Sequence, residues 1–204
     1  MDNYVITIGR QMGSGGRELG QRLAELLGIE FYDKKLLADA ALKAGLVPEM
    51  MERDDERTPS VLSGAFGAGF GLAFASGLFV GDDAVYRAQS EVIRELGATK
   101  SCVIVGRTAD YVLRDHPRCI NIFVHAPEED CIKRLIQRGD KTCEAEARAM
   151  IRKINKIRAG YYNFYTDRTW GAASTYDLTV NSALLPMPRL AQFLADYVRL
   201  RLSL

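Results

Sequence analysis

The chain has 204 residues, 48% of them hydrophobic and 26% charged, with a formal net charge of +1 at neutral pH. That length allows one sizeable core, and the near-zero charge excludes a dedicated nucleic-acid coat or a polybasic membrane anchor. The four cysteines, Cys102, Cys119, Cys131 and Cys143, form no CxxC pair, which argues against a zinc site and for reduced, partly buried thiols in a cytoplasmic protein.

No secretory leader is expected, because Asp2 is followed at once by a strand pattern at residues 5–8. A glycine-rich turn comes next, then an amphipathic helix over 17–27. Leu19, Leu23, Leu26 and Leu27 fall on one face of that helix, and Gly28 is placed to cap its C-terminus. Residues 30–32 form a short second strand, and helices are predicted over 34–43 and 48–55. Residues 58–81 carry no charge and are rich in glycine (Gly64, Gly67, Gly69, Gly71, Gly77). The stretch is long enough to span a bilayer, but each glycine costs a helix roughly 1 kcal/mol relative to alanine. The expectation is an apolar insertion that folds over a ligand or against a second copy in a homodimer. A membrane hairpin is the lesser alternative.

Helical spacing returns over 82–96 and closes at Gly97. Residues 102–105 are a continuous apolar run, typical of a parallel strand covered on both faces. A fourth strand follows at 120–124. Pro127 would open a helix at its first position and carry it to about 138. Thr142 is placed to cap a long helix reaching about 165, with Glu144 and Glu146 in its first turn. A fifth strand at 178–180 and a helix over 188–202 complete the chain. Five strands alternating with helices predict an α/β fold: a five-stranded parallel sheet with helices on both faces.

Strand, glycine turn, helix is the layout of a phosphate-binding loop, whose backbone N–H groups point at an anion. The usual pattern is GxxxxGK[ST]. Aligned on Gly13-Ser14-Gly15, it puts Arg10 at the first glycine, Gly16 at the lysine and Arg17 at the hydroxyl residue. The predicted phosphate-binding set is therefore Arg10, Gly13, Ser14, Gly15, Gly16, Arg17 and Glu18. Arg17 or Arg10 would supply the missing cation, since arginine grips phosphate bidentately. Further along, Arg107 follows a strand's C-terminal end, where α/β folds hold ligands. Arg148, Arg152 and Lys156 recur at i+4 on one stripe of the long helix. Arg158 lies on another side, so both sets could face one ligand only if the helix broke, with Gly160 the candidate break. Tyr161, Tyr162 and Tyr165 are candidates for base stacking or for core. The two histidines, His116 and His125, are not spaced for a metal or a catalytic triad.

The segment 6–18 (ITIGRQMGSGGRE) resembles the opening of the cytidylate kinase-like family, relatives of nucleoside monophosphate kinases. Phe31-Tyr32-Asp33-Lys34, the run from Cys102 through Gly106-Arg107 to Tyr111, and the set Lys156–Tyr162, Thr166, Trp170-Gly171 and Tyr176-Asp177-Leu178 add to the resemblance. It covers nearly the whole chain outside 58–81. It implies a P-loop kinase domain over 1–204, with a mobile region made of an acceptor-binding subdomain at 34–97 and a lid-like helix within 139–170. It implies ATP with Mg2+, whose protein ligand remains unassigned, and an acceptor held by Asp33, Arg107 and Asp110. Asp110 would stand in for the aspartate that Thr108 replaces. Arg17, Arg107 and Arg158 would be catalytic, and Arg152, Lys153, Lys156 and Arg158 would form the basic lid.

Three functions follow from these readings. One is ATP-dependent phosphoryl transfer to a nucleoside monophosphate (CMP-like) or a related small phosphorylated acceptor. The second is a nucleotide-binding regulator or pseudokinase, which the missing lysine favours. The third is a membrane-associated or self-assembling protein built around 58–81. On the first reading, Arg17→Ala and Arg107→Ala would each reduce turnover by orders of magnitude.

Overall fold

Short apolar runs set the sheet. β1 (Val5–Arg10), β2 (Glu30–Tyr32), β3 (Cys102–Val105), β4 (Cys119–His125) and β5 (Leu178–Asn181) pair in the order β2-β3-β1-β4-β5, all parallel. The computed structural model describes residues 3–33, 36 and 80–204. Its helices are α1 (Gly16–Leu27), α2 (Val80–Thr99), α3 (Ala109–Val112), α4 (Glu128–Gln137), α5 (Glu144–Thr166) and α6 (Met187–Leu202), with a 3-10 turn at Ala173–Thr175.

The register sorts side chains between the two faces. Ile6, Ile8, Val103, Val105, Ile120, Ile122 and Val124 meet Leu19 and Leu23 of α1 and Leu190, Leu194 and Val198 of α6 in one core. On the other face the Thr7 hydroxyl donates to Asn121 Oδ1 at 2.7 Å. Phe123 there packs edge-on to Trp170, with ring centres 5.2 Å apart, and tilted against Tyr176 at 4.9 Å. A smaller core joins α4 to α5 through Cys131, Ile132, Leu135, Ala147 and Ile151. Ile8 sits between Val105 and Ile122 in register, and the Gly106 amide donates to the Ile8 carbonyl at 3.0 Å. The C-terminal ends of β1 and β3 therefore lie side by side.

The chain divides into two compact units, Met1–Lys34 with Arg94–Leu204, and Lys35–Ile93. The helices expected over 34–43 and 48–55, nearly all of the uncharged stretch 58–81 and most of the proposed subdomain at 34–97 lie outside the described residues. Among the described residues, no helix is long and apolar enough to cross a membrane.

Several boundaries differ from the sequence expectation. α2 runs through Gly97 to Thr99 instead of stopping there. A side chain at Gly97 would start 3.0 Å from Leu113 Cδ2, so this glycine serves close packing and not termination. Pro127 is the N-cap of α4, one residue before its first turn, and Cys143 takes the N-cap place expected for Thr142. α5 passes Gly160 unbroken. Leu26 is 41% exposed, at the edge of the apolar face of α1. The short helix α3 was not foreseen.

All four cysteines are free; Cys102 and Cys131 are buried and Cys143 is exposed. Burial pushes the Cys102 and Cys119 thiols up to about 12, so few thiolates are present there at neutral pH. In the native protein a thiol reagent should label Cys143 within minutes and the other three only on unfolding. Rapid labelling of a second cysteine would contradict this packing.

Candidate functional site

The glycine turn between β1 and α1 is shaped by two left-handed residues, Gly13 at φ +78° and Gly15 at φ +79°. At Gly13 a side chain would start 2.8 Å from both the Cβ and the carbonyl oxygen of Cys131, so glycine is required by space as well as by φ. Gly15 caps α1 without a side-chain hydrogen bond, so among the described residues no side-chain cap competes with an anion for the first-turn N–H groups. Ser14 is buried and its hydroxyl donates to the Gln11 carbonyl at 2.9 Å, so that group is already engaged. Arg134 of α4 and Ser182 both donate to the Ser14 carbonyl, at 3.0 and 2.6 Å, and Arg134 also bonds the Ser182 hydroxyl and carbonyl. The Met12 amide donates to Asn155 Oδ1 at 2.7 Å. The turn is thus clamped from three elements. None of these clamping residues stands out in the sequence, because each acts across more than a hundred positions.

The predicted cations separate into two groups. Arg17 is largely exposed and donates to Asp33 at 2.8 Å, with its guanidinium 5.7 Å from the centre of the Phe31 ring. Glu18 pairs with Arg22. On α5, Arg148 bonds Glu128 and Glu129, and Arg152 bonds Glu128 at 3.2 Å. These two arginines join α5 to α4 and lie away from the turn. Lys153 and Lys156 are exposed.

The other group converges. A cavity of about 340 Å³ is lined by Gly9 and Arg10 of β1, by Gly106, Arg107 and Asp110 after β3, and by Arg158 and Tyr161 of α5, with Trp170 among its further walls. Arg158 Nη1 donates to the Arg10 carbonyl at 3.1 Å. Burial first, then the facing charges of Arg158 and Arg107, pull the Arg10 guanidinium down to about 9, with Asp33 opposing. Burial brings Arg158 down to about 10. Both still carry their charge at neutral pH. Among the described residues neither has a carboxylate within ion-pair distance. Gly106, Arg107 and Thr108 have φ values of +81°, +61° and +53°. Two consecutive non-glycine residues in this region mark local strain, which concentrates at functional sites.

Asp110 is buried and accepts a hydrogen bond from the Tyr162 hydroxyl at 2.5 Å. Burial raises its carboxyl above the usual range, partly opposed by that bond, and also raises the Tyr162 and Tyr176 phenols. Among the described residues the buried Tyr176 hydroxyl has no partner in good hydrogen-bond geometry. The contribution of Trp170 and Tyr176 to the cavity was not readable from the sequence. They stand in an irregular segment with no period to read.

The site thus combines a glycine turn opening a helix, clustered arginines at the ends of β1 and β3, and a parallel sheet in the order 2-3-1-4-5. A profile described as the cytidylate kinase-like family matches residues 5–184. The chain belongs to the cytidylate kinase-like family. No curated protein matches it. Among solved structures, an uncharacterized protein from Eubacterium ventriosum is similar at 26% identity, with 96% of this chain and 98% of that one covered and a TM-score of 0.71. Shikimate kinase from Bacteroides thetaiotaomicron is 16% identical with a TM-score of 0.52, covering 98% and 99% of the two chains. APS kinase from Mycobacterium tuberculosis is 18% identical with a TM-score of 0.51, covering 97% and 98%. These last two show that the fold is that of the P-loop kinases.

Polyphosphate suits this site, since largely desolvated guanidiniums and helix N–H groups without a side-chain cap both favour an anion. For Mg2+, the described residues contain no group of three potential ligands, and Asp33 and Glu18 are each bound to an arginine. Magnesium in such sites is held largely by phosphate oxygens and water, so it would arrive with the nucleotide, and no protein ligand is assigned to it.

Tyr162→Phe would leave the buried Asp110 carboxylate short of a donor, at a cost of about 1–3 kcal/mol in urea unfolding. Losing that bond raises the folded-state pKa of Asp110 further above its unfolded value. Such a group destabilises the fold at high pH and ceases to do so once protonated. The gap between variant and wild type should therefore narrow from pH 8 to pH 5. A gap that widens would place the carboxylate in different surroundings.

Proposed function

We propose that the protein transfers the γ-phosphoryl group of ATP to a nucleoside monophosphate (CMP-like) or a related small phosphorylated acceptor. Membership of a kinase-like family and the P-loop kinase fold support nucleotide-dependent phosphoryl transfer in general. The observation that carries the finer reading is the pair of largely desolvated guanidiniums, Arg10 and Arg158, which make no ion pair among the described residues and have Arg107 beside them.

On this reading the donor phosphates rest on the Gly13–Arg17 turn. A second cavity, of about 530 Å³ and lined by Gly15, Arg134, Arg138, Leu184 and Leu185, adjoins the turn and would take the donor's base. The acceptor occupies the 340 Å³ cavity, its phosphate on Arg107 and Arg158 and its ring near Tyr161 and Trp170. The exposed Lys153 and Lys156, and Asp33 with its partner Arg17, flank this arrangement, whereas Arg152 is engaged with Glu128 and takes no part in it. Both volumes fall within the ordinary range for ligand sites.

An oxygen of the acceptor phosphate forms a bond to the γ-phosphorus. The bond from that phosphorus to the β,γ-bridging oxygen breaks, and ADP leaves with the electron pair. The attacking oxygen is already anionic, so this transfer needs little proton chemistry from the protein. It needs alignment and positive charge around the moving group.

A coupled assay for ATP consumption, run with Mg2+ against a panel of nucleoside monophosphates, tests the proposal. Turnover with one acceptor is expected, and it should vanish when Mg2+ is chelated. Arg107→Ala and Arg158→Ala should each lower kcat/KM by about 10²–10³-fold without large loss of thermal stability. Folded protein that binds ATP but turns over no acceptor would favour the regulator, for which glycine in the lysine position is the specific observation.

A further inference from the structure

We infer that Arg10 supplies the phosphate-loop cation from the opposite end of the loop, so that positions 10 and 16 have exchanged the glycine and the cation of the usual pattern. The inference rests on the glycine turn being the donor site, as proposed above. In GxxxxGK[ST], glycine opens the loop and lysine is the first residue beyond its last glycine. Here arginine opens it and glycine stands where the lysine would be.

The geometry shows why the two changes belong together. A side chain at Gly16 would start 2.6 Å from Arg10 Cβ and 3.1 Å from Arg10 Cγ, with Val124 Cβ at 3.3 Å. The space through which a lysine at position 16 would leave the helix is therefore filled by the stem of Arg10. The guanidinium of Arg10 extends over Gly106, where any side chain would start 2.9 Å from Cζ. Gly106 is thus a second glycine whose missing side chain makes room for Arg10. Arg10 spans from the start of α1 to the end of β3, between the donor turn and the cavity assigned to the acceptor.

The alternative source of charge, Arg17, is held by Asp33 and is 62% exposed at its side chain. Among the described residues the Arg10 guanidinium donates no hydrogen bond. Its neighbours in charge are mostly other arginines. A desolvated cation in that setting gains most from a multiply charged anion. The polyphosphate end of a nucleoside triphosphate, carrying three to four negative charges, is the ligand class that fits.

The test is a swap. Arg10→Gly, Gly16→Lys and the double variant are compared with the wild type by thermal melting, by calorimetric titration with MgATP, and by turnover. Arg10→Gly should weaken ATP binding by about 10–100-fold, the effect of losing one charged hydrogen-bonding partner. Gly16→Lys alone should lose stability and binding, because Arg10 blocks the new side chain. The double variant should recover at least tenfold over Arg10→Gly in ATP affinity. Arg10→Lys and Arg10→Met keep the stem at position 10 and differ in charge, so they decide the matter if the swap does not fold; lysine should retain the greater affinity. Equal affinity of those two, or a folded double variant no better than Arg10→Gly, would overturn the inference. If the wild type phosphorylates an acceptor and Arg10→Met does so equally well, the inference falls and the kinase reading stands. If Arg10 governs ATP binding and no acceptor is phosphorylated, the kinase reading falls and the inference stands. A wild type that does not bind ATP overturns both.

Discussion

Two guanidinium groups largely withdrawn from water, and making no ion pair among the described residues, are the constraint around which this fold is arranged. Burying a charge is costly unless it is paired, and Arg10 and Arg158 share only the Arg10 carbonyl between them. Such an arrangement persists because the surrounding framework is stable enough to hold it. The framework is the parallel sheet, whose central strand β1 is covered on one face by Leu19, Leu23, Leu190 and Leu194, all fully or nearly fully buried. The turn that follows β1 is then fixed by Arg134 and Ser182 on the Ser14 carbonyl and by Asn155 on the Met12 amide. Every one of these fastenings is made to the turn's backbone, and the Ser14 hydroxyl adds one from within by donating to the Gln11 carbonyl.

Helix α5 is the second structural decision. Being unbroken, it serves two different tasks at successive levels along its length. Arg148 and Arg152 meet Glu128 and Glu129 of α4, and Ala147 and Ile151 pack on Cys131 and Leu135. Farther along, Asn155, Arg158 and Tyr162 reach Met12, Arg10 and Asp110. The ion pairs are partly exposed and contribute little stability individually. Their value is positional: they fix the rotation of α5 about its axis, and that rotation decides that Arg158 and not Arg152 faces the turn. A helix broken at Gly160 would have allowed both, at the loss of that fixed orientation.

What the sequence disclosed and what it concealed follow from distance along the chain. The strands at 30–32 and 102–105 and the helix α1 were readable because their signals are local: an apolar run, a 3.6-residue spacing, a glycine at Gly28. Leu26 lies on the expected face and is still 41% exposed, because spacing gives the direction of a side chain and not what covers it. Gly97 looked like a stop because the residue that requires its smallness, Leu113, lies sixteen positions away and outside any helical period. The arginines were all visible, yet the sequence offered both Arg10 and Arg17 as the loop's cation and the resemblance made only Arg17 catalytic. Their surroundings differ only through Gly106 and Asp33, each brought close by sheet pairing or by the turn after β2. In the same way, the stripe of Arg148, Arg152 and Lys156 was correctly read as one face of a helix. Which neighbour that face meets was not readable, since Glu128 and Glu129 precede it by about twenty residues.

The strain after β3 completes the physical account of the site. Three successive residues, Gly106, Arg107 and Thr108, hold positive φ, and each non-glycine residue so placed costs on the order of 1–3 kcal/mol. The turn is held from below by the Gly106 amide on the Ile8 carbonyl and from beyond by the first turn of α3, where the Tyr111 and Val112 amides donate to the Thr108 carbonyl. Its backbone sets Arg107 beside Arg10 and leaves Gly106 bare beneath the Arg10 guanidinium. A side chain at position 106 would enter that space, and the Arg10 guanidinium would have to shift from where it lies. Strain in one loop and the clustered arginines of another are therefore a single arrangement: the first makes room for the second. An anion bound between them would compensate the charge directly and, by holding Arg107, would offset part of the strain. On the proposed reading, a ligand that relieved both costs would be selected by charge before it was selected by shape.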